Sequence, residues 1–190
     1  IFVGDYVDSF TATDVTIKYN LLEILNFKKL MGDKVVLLLG NHDVQYIVSD
    51  QICSGYRSQM RPDLSMIFNE NLHLFTMAYQ LEGEGKSYLW THAGVTSGWL
   101  RELEKALNNP NHRFYDIIKE RNLEKIADKI NLAWEMRFDV LYNVDAHSGG
   151  WQSWAGPLWV RPPMLNEHYL ENITQIIGHT PQSDIFSIML

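Results

Sequence analysis

Three apolar runs in this sequence stop at a glycine, and each glycine is followed at once by a side chain able to bind a metal. Ile1-Phe2-Val3 meets Gly4-Asp5, Val35 to Leu39 meets Gly40-Asn41, and Ile176-Ile177 meets Gly178-His179. A fourth stretch, Ser87-Tyr88-Leu89-Trp90, runs through Thr91 into His92. Continuous apolar runs of this kind belong to strands covered on both faces. Open α/β sheets place their sites beyond the carboxyl ends of such strands. The pattern predicts an α/β chain with Asp5, Asn41, His92 and His179 delivered at strand ends.

The segments between these runs supply the helices. Thr13 or Asp14 is placed to cap a helix carrying Ile17, Leu21, Ile24 and Leu25 on one face, with Gly32 to end it. Residues 43–71 read as helical with a break at Pro62. Residues 73–81 and 87–91 flank "EGEGK" and predict an antiparallel hairpin. Further helices are expected over 96–107 and from about 122, the latter presenting Ile126, Ile130, Ala133 and Trp134. Residues 147–163, rich in Gly, Pro and Trp, read as a long loop, and "ITQIIGHT" as strand then turn. No linker or repeat divides the chain, so a single domain over 1–190 is expected.

Composition removes several function classes. At 46% hydrophobic residues the chain has enough apolar material for a packed core. A net charge of -7 argues against a nucleic-acid binder held by a basic face. No apolar stretch reaches the ~18 residues that span a bilayer. The one cysteine, Cys53, excludes an internal disulfide framework and suits a reducing compartment, hence the cytoplasm. The chain lacks an initiator Met and begins inside a core-like strand, which reads as N-terminal truncation.

One carboxylate, one amide oxygen and two imidazoles form a mixed O/N donor set, which suits Mn, Fe or Zn better than Ca or Mg. In "GNHD" the adjacent Asn41 and His42 cannot easily both reach one metal, so His42 is freer to face a substrate. An imidazole there can protonate a leaving group, and Asp8, three residues after Asp5, is placed to fix its tautomer. Trp151, Trp154 and Trp159 can line a cleft or anchor the loop by packing.

In order, "GDYVDS", "GNHD", "HAG" and "GHTP" resemble the blocks of the PPP-type, calcineurin-like metallophosphoesterases, the Ser/Thr protein phosphatases and their bacterial relatives. The match spans Gly4 to Pro181. The resemblance implies a sandwich of two β-sheets flanked by helices. It makes Asp5 the carboxylate bridging two divalent metals, with Asn41, His92 and His179 completing the second metal's shell. It makes His42 the general acid and Asp8 its partner. "PLWVRP" resembles the segment that supplies a phosphate-binding arginine, here Arg161, and Asn41 is placed with it at the phosphate. A metal-bridging hydroxide would attack the phosphomonoester of a phosphoprotein or small phosphoester.

Two departures qualify the resemblance. The family opens with an Asp-x-His strand that no residue here matches, so this chain holds a full ligand set for only one metal. Ser9 stands where the family carries a phosphate-gripping arginine. Alternatives are a dinucleoside polyphosphate hydrolase, whose relatives also carry "GNHD" and "HAG", and a metal- or phosphate-binding module without catalysis. His73, His112, His147 and His168 lie outside the blocks.

Overall fold

In a computed structural model that describes residues 1–142 and 149–181, the first helix, α1 (Asp14–Met31), starts on the Thr13 cap. Thr13 Oγ1 accepts the Thr16 N–H at 3.2 Å, which satisfies one of the helix's orphan donors. Ile17, Leu21 and Leu25 are buried, four residues apart on one face, while Ile24 is half-buried. Lys28 and Lys29 stand in the last turn, against the negative end of the helix dipole. The chain then turns at Gly32 into β1 (Leu37–Leu38), which pairs in parallel with β2 (Phe75–Thr76). Phe2 bridges in parallel to Leu37, taking the Leu38 N–H at 2.9 Å on its carbonyl. The expected strand at the very start therefore lies beside β1.

Helical content over 43–71 is less than the periodicity predicts. α2 (Asn41–Val44) is a single turn and α3 (Arg61–Glu70) begins at Arg61. Between them the chain runs in turns through Gly55, at φ 80°. Buried Gln45 there accepts the Cys53 N–H on its side-chain oxygen, so that backbone donor is satisfied outside a helical ladder. Pro62 sits in the first turn of α3, where its missing N–H costs nothing, so it starts a helix rather than breaking one.

This N-terminal part, Ile1–Thr76, is one compact unit, and Met77–Leu190 is another. In the second, β3 (Ala78–Gly83) and β4 (Lys86–Thr91) form the expected hairpin, closed by Glu84 and Gly85 at φ 52° and 75°. α4 (Ser97–Leu107) is capped by Thr96, whose Oγ1 accepts the Trp99 N–H at 3.1 Å. A short α5 (Tyr115–Ile118) follows. α6 (Ile126–Glu135) starts later than the sequence pattern suggests and buries Ala127, Ile130, Leu132, Ala133 and Trp134. α7 (Pro162–Glu167) follows the loop, and β5 (Ile173–Ile176) pairs in parallel with β4. Trp99, fully buried, donates its indole N–H to the Val140 carbonyl at 2.9 Å. The architecture is α/β with two sheets, of order β1-β2 and β3-β4-β5. Among the described residues no helix is long and apolar enough to cross a membrane.

Candidate functional site

In the N-terminal unit two glycine-bearing turns pass backbone against backbone. Gly4 has φ 96°, and a Cβ there would fall 2.4 Å from the Gly40 nitrogen. That contact sets the turn carrying Asp5 against the turn carrying Asn41 and His42. Asp43 locks it from below. Its fully buried carboxylate accepts the N–H of Gly40 and of Asp5 at 2.8 Å and that of Tyr6 at 2.9 Å. Burial, with the neighbouring Asp5 carboxylate, pushes Asp43 up to about 8, while these three N–H donors pull it down.

The expected site residues of this unit sit around that lock. Asp5 Oδ1 accepts the His42 N–H at 3.2 Å. Asn41 is buried, and its Nδ2 donates to Cys53 Sγ at 3.6 Å. The Cys53 thiol is free, half-buried, and pushed by burial up to about 11. His42 Nδ1 lies 3.6 Å from Asp8 Oδ2. Burial works against a charge on that ring, but Asp8, Asp5 and Asp43 together raise its pKa above the usual imidazole value. Asp8 is itself buried and accepts hydrogen bonds from Gln45 Nε2 and, at 2.5 Å, from the Tyr46 hydroxyl.

In the C-terminal unit the parallel ladder does the positioning. β4 and β5 pair up to Trp90↔Ile176, and the Gly178 N–H carries the pattern on to the His92 carbonyl at 2.8 Å. His92 and His179 therefore leave neighbouring strand ends together, with His92 Nε2 and His179 Nδ1 3.1 Å apart. Nitrogens sharing one cation at bonds of about 2.0–2.1 Å come about 3 Å apart, so this pair fits a divalent metal. Behind His92, Gln175 holds both polar groups of buried Val95, accepting its N–H at 2.7 Å and donating to its carbonyl at 2.8 Å. The Trp159 ring meets His179 edge-on at 5.7 Å.

Arg161 belongs to the same neighbourhood. Its Nε donates to the Gly149 carbonyl at 2.9 Å and one Nη to Thr180 Oγ1 at 3.2 Å, beside His179. Gly150 permits this, since a Cβ on it would fall 1.8 Å from the Trp159 carbonyl oxygen. Trp151 and Trp154 are 55% and 49% exposed, so neither is a packed anchor of the loop.

Each unit thus gathers its own share of the expected residues: Asp5, Asp8, Asn41 and His42 in one, His92, Arg161 and His179 in the other. Asp5, Asp8 and His179 have φ of 60°, 64° and 66°. Backbone in that region costs about 1–3 kcal/mol for a non-glycine residue and collects at functional sites. Ser9, in place of the expected arginine, spends its hydroxyl on its own turn, accepting the Ala12 N–H at 3.2 Å. His112 stacks on Phe138 at 4.3 Å, and His147 lies outside the described residues. Sequence reasoning missed Asp43, Gln45, Tyr46 and Gln175. The first of these had a signal, a carboxylate ending "GNHD", but Asp43 meets Asp5 across 38 positions, Gln45 and Tyr46 meet Asp8 across 37 and 38, and Gln175 meets Val95 across 80.

The N-terminal unit offers a carboxylate and a carboxamide and the C-terminal unit two imidazoles, donor types that borderline divalent cations accept. The family model described as calcineurin-like phosphoesterase matches residues 1–183 of this chain. No curated protein matches it.

Proposed function

We propose a substrate class and residue roles for a chain that, by this match over nearly its whole length, belongs to the calcineurin-like phosphoesterase family. It is a metal-dependent phosphoesterase, a hydrolase with the α/β fold of that family. Its substrates are phosphomonoesters with poor leaving groups, of the phosphoserine and phosphothreonine type, as in the bacterial protein phosphatases. The observation that carries this reading is the buried Asp8 carboxylate 3.6 Å from His42 Nδ1. A charged imidazole held in this way can protonate a departing alkoxide. A phosphate or nucleoside phosphate leaving group, being a weak base, has little need of such a donor.

In this reading Asp5, Asn41, His92 and His179 would hold a divalent metal. Bound cations, Mn or else Fe or Zn, supply Lewis acidity and an activated water. Arg161 offers a planar fork to the equatorial phosphate oxygens, and its anchorage on Gly149 and Thr180 sets its direction. Asn41 touches the same phosphate. His42 releases its proton to the leaving oxygen, and Asp8 keeps the ring in the tautomer that allows it. We place the enzyme in the cytoplasm, as one catalytic domain over 1–190 acting on a phosphoprotein or small phosphoester, with neither nucleic acid nor membrane as partner.

A dinucleoside polyphosphate is the second reading, favoured by the exposed Trp151 and Trp154 near Gly149 and Gly150, on which a nucleobase can stack. Membership of a hydrolase family argues against a module without catalysis.

The test compares leaving groups. His42→Ala should lower turnover of an alkyl phosphate about 10²–10⁴-fold and that of p-nitrophenyl phosphate far less. Equal losses on both overturn the proton-donor role. Rapid hydrolysis of diadenosine polyphosphates beside inert phosphopeptides would favour the second reading. Asn41→Ala should lower metal content by elemental analysis, with activity partly recovered in excess Mn²⁺.

A further inference from the structure

The Asp8 carboxylate has no solvent exposure, and its two oxygens are shared out unequally. Oδ1 takes the Tyr46 hydroxyl at 2.5 Å. Oδ2 takes the Gln45 amide and also faces His42 Nδ1 at 3.6 Å, beyond the usual N–H···O range of about 2.7–3.2 Å. Gln45 is fully buried. Its Oε1 accepts the Cys53 N–H at 2.9 Å. A backbone N–H can only donate, so the end of the amide facing Cys53 must be the oxygen and the end facing Asp8 must be the NH₂. The orientation of Gln45 is thereby forced, and it can present only a donor to Asp8.

Tyr46 is oriented by the same device. Its oxygen accepts the Arg57 N–H at 3.0 Å, which turns the hydroxyl proton toward Asp8. Arg57 is in turn clamped by its guanidinium on the Ser9 and Ala12 carbonyls and on the Asp14 carboxylate. Two backbone N–H groups of one segment, those of Cys53 and Arg57, thus aim two side-chain donors at one buried carboxylate.

We infer that Gln45 is a positioning residue for the His42–Asp8 pair: it occupies Oδ2 and holds the carboxylate in the plane from which it orients the imidazole. The inference rests on the proposed proton-donor role of His42. With Gln45 unable to donate, Asp8 would be held by Tyr46 alone, at one oxygen, and could turn away from the ring.

The experiment measures kcat and KM of the metal-loaded enzyme for an alkyl phosphate and for p-nitrophenyl phosphate, in wild type, Gln45→Met, Gln45→Leu and His42→Ala. A hydrogen bond to a charged group predicts that both Gln45 variants lose about tenfold in kcat on the alkyl ester. Loss on p-nitrophenyl phosphate should be no more than about twofold, with KM unchanged for both. The ratio of the two kcat values does not depend on the fraction of folded enzyme, so a partly unstable variant still answers. The second readout is the downfield Nδ1–H proton of His42 by NMR in Zn²⁺-loaded protein, which should move in Gln45→Met. If His42→Ala changes the ratio while both Gln45 variants leave the ratio and the proton signal at wild-type values, the positioning role is overturned and the proton-donor reading stands. If His42→Ala itself leaves the ratio unchanged, the proton-donor reading fails, and the inference with it.

Discussion

Asp43 in the N-terminal unit and Gln175 in the C-terminal unit perform one task with opposite chemistry. Each is a side chain behind a candidate metal ligand that gathers backbone groups which the turn has left without ladder partners. Behind Asp5 the orphans are three N–H groups, those of Gly40, Asp5 and Tyr6. Only an acceptor can serve all three, and a carboxylate has lone pairs enough. Behind His92 the orphans are the N–H and the carbonyl of one residue, Val95. A carboxamide matches that pair as a neighbouring strand would. The residue type behind each ligand is therefore matched to the polarity of backbone that the turn exposes, with a carboxyl group where all the orphans are donors.

Breaking the carboxylate side should cost most. Asp43→Ala leaves three N–H groups without their acceptor, at about 1–3 kcal/mol each. Metal-free protein should lose at least about 3 kcal/mol, or about 6–12 °C in Tm for a chain of this size. A calorimetric shift below about 2 °C would mean that water or another acceptor takes over all three. Gln175→Ala should cost less, about 2 kcal/mol and about 4–8 °C, because Gln175 is only half-buried and water can replace it. A larger loss than in Asp43→Ala would reverse the comparison.

Swapping the chemistry sharpens it further. Asp43→Asn keeps an acceptor oxygen but turns an NH₂ toward at least one of the three donors, for about 1–3 kcal/mol by urea unfolding. Smallest of all is Asp14→Ala, which removes one of three anchors of the Arg57 clamp at a half-exposed ion pair. Its effect should stay within about 1 kcal/mol, with the ratio of alkyl to aryl phosphate turnover unchanged.

Much of the frame was legible in the residues. The Thr13 cap, the helix opening at about Thr96, the Glu84-Gly85 turn and the placing of Asp5, Asn41, His92 and His179 at strand ends all follow from local rules. The reading of 43–71 failed because apolar spacing was weighed without buried Gln45, whose side chain ties that segment to its own backbone at Cys53. Pro62 was misread because a proline within a pattern and a proline opening a helix look alike until the helix start is known. Arg161 was found only through its resemblance to a known segment; its contacts with Gly149 and Thr180 have no local signal.

What the sequence determined by itself was where strands end and what stands just past them, because an apolar run, a glycine and a capping hydroxyl act within a few residues of one another. Which side chain completes each turn was decided only by the tertiary structure. Asp43 meets Asp5 across 38 positions and Gln175 meets Val95 across 80. The need for an acceptor in one place, and for an acceptor and a donor in the other, arises only once folding has turned particular backbone groups away from water.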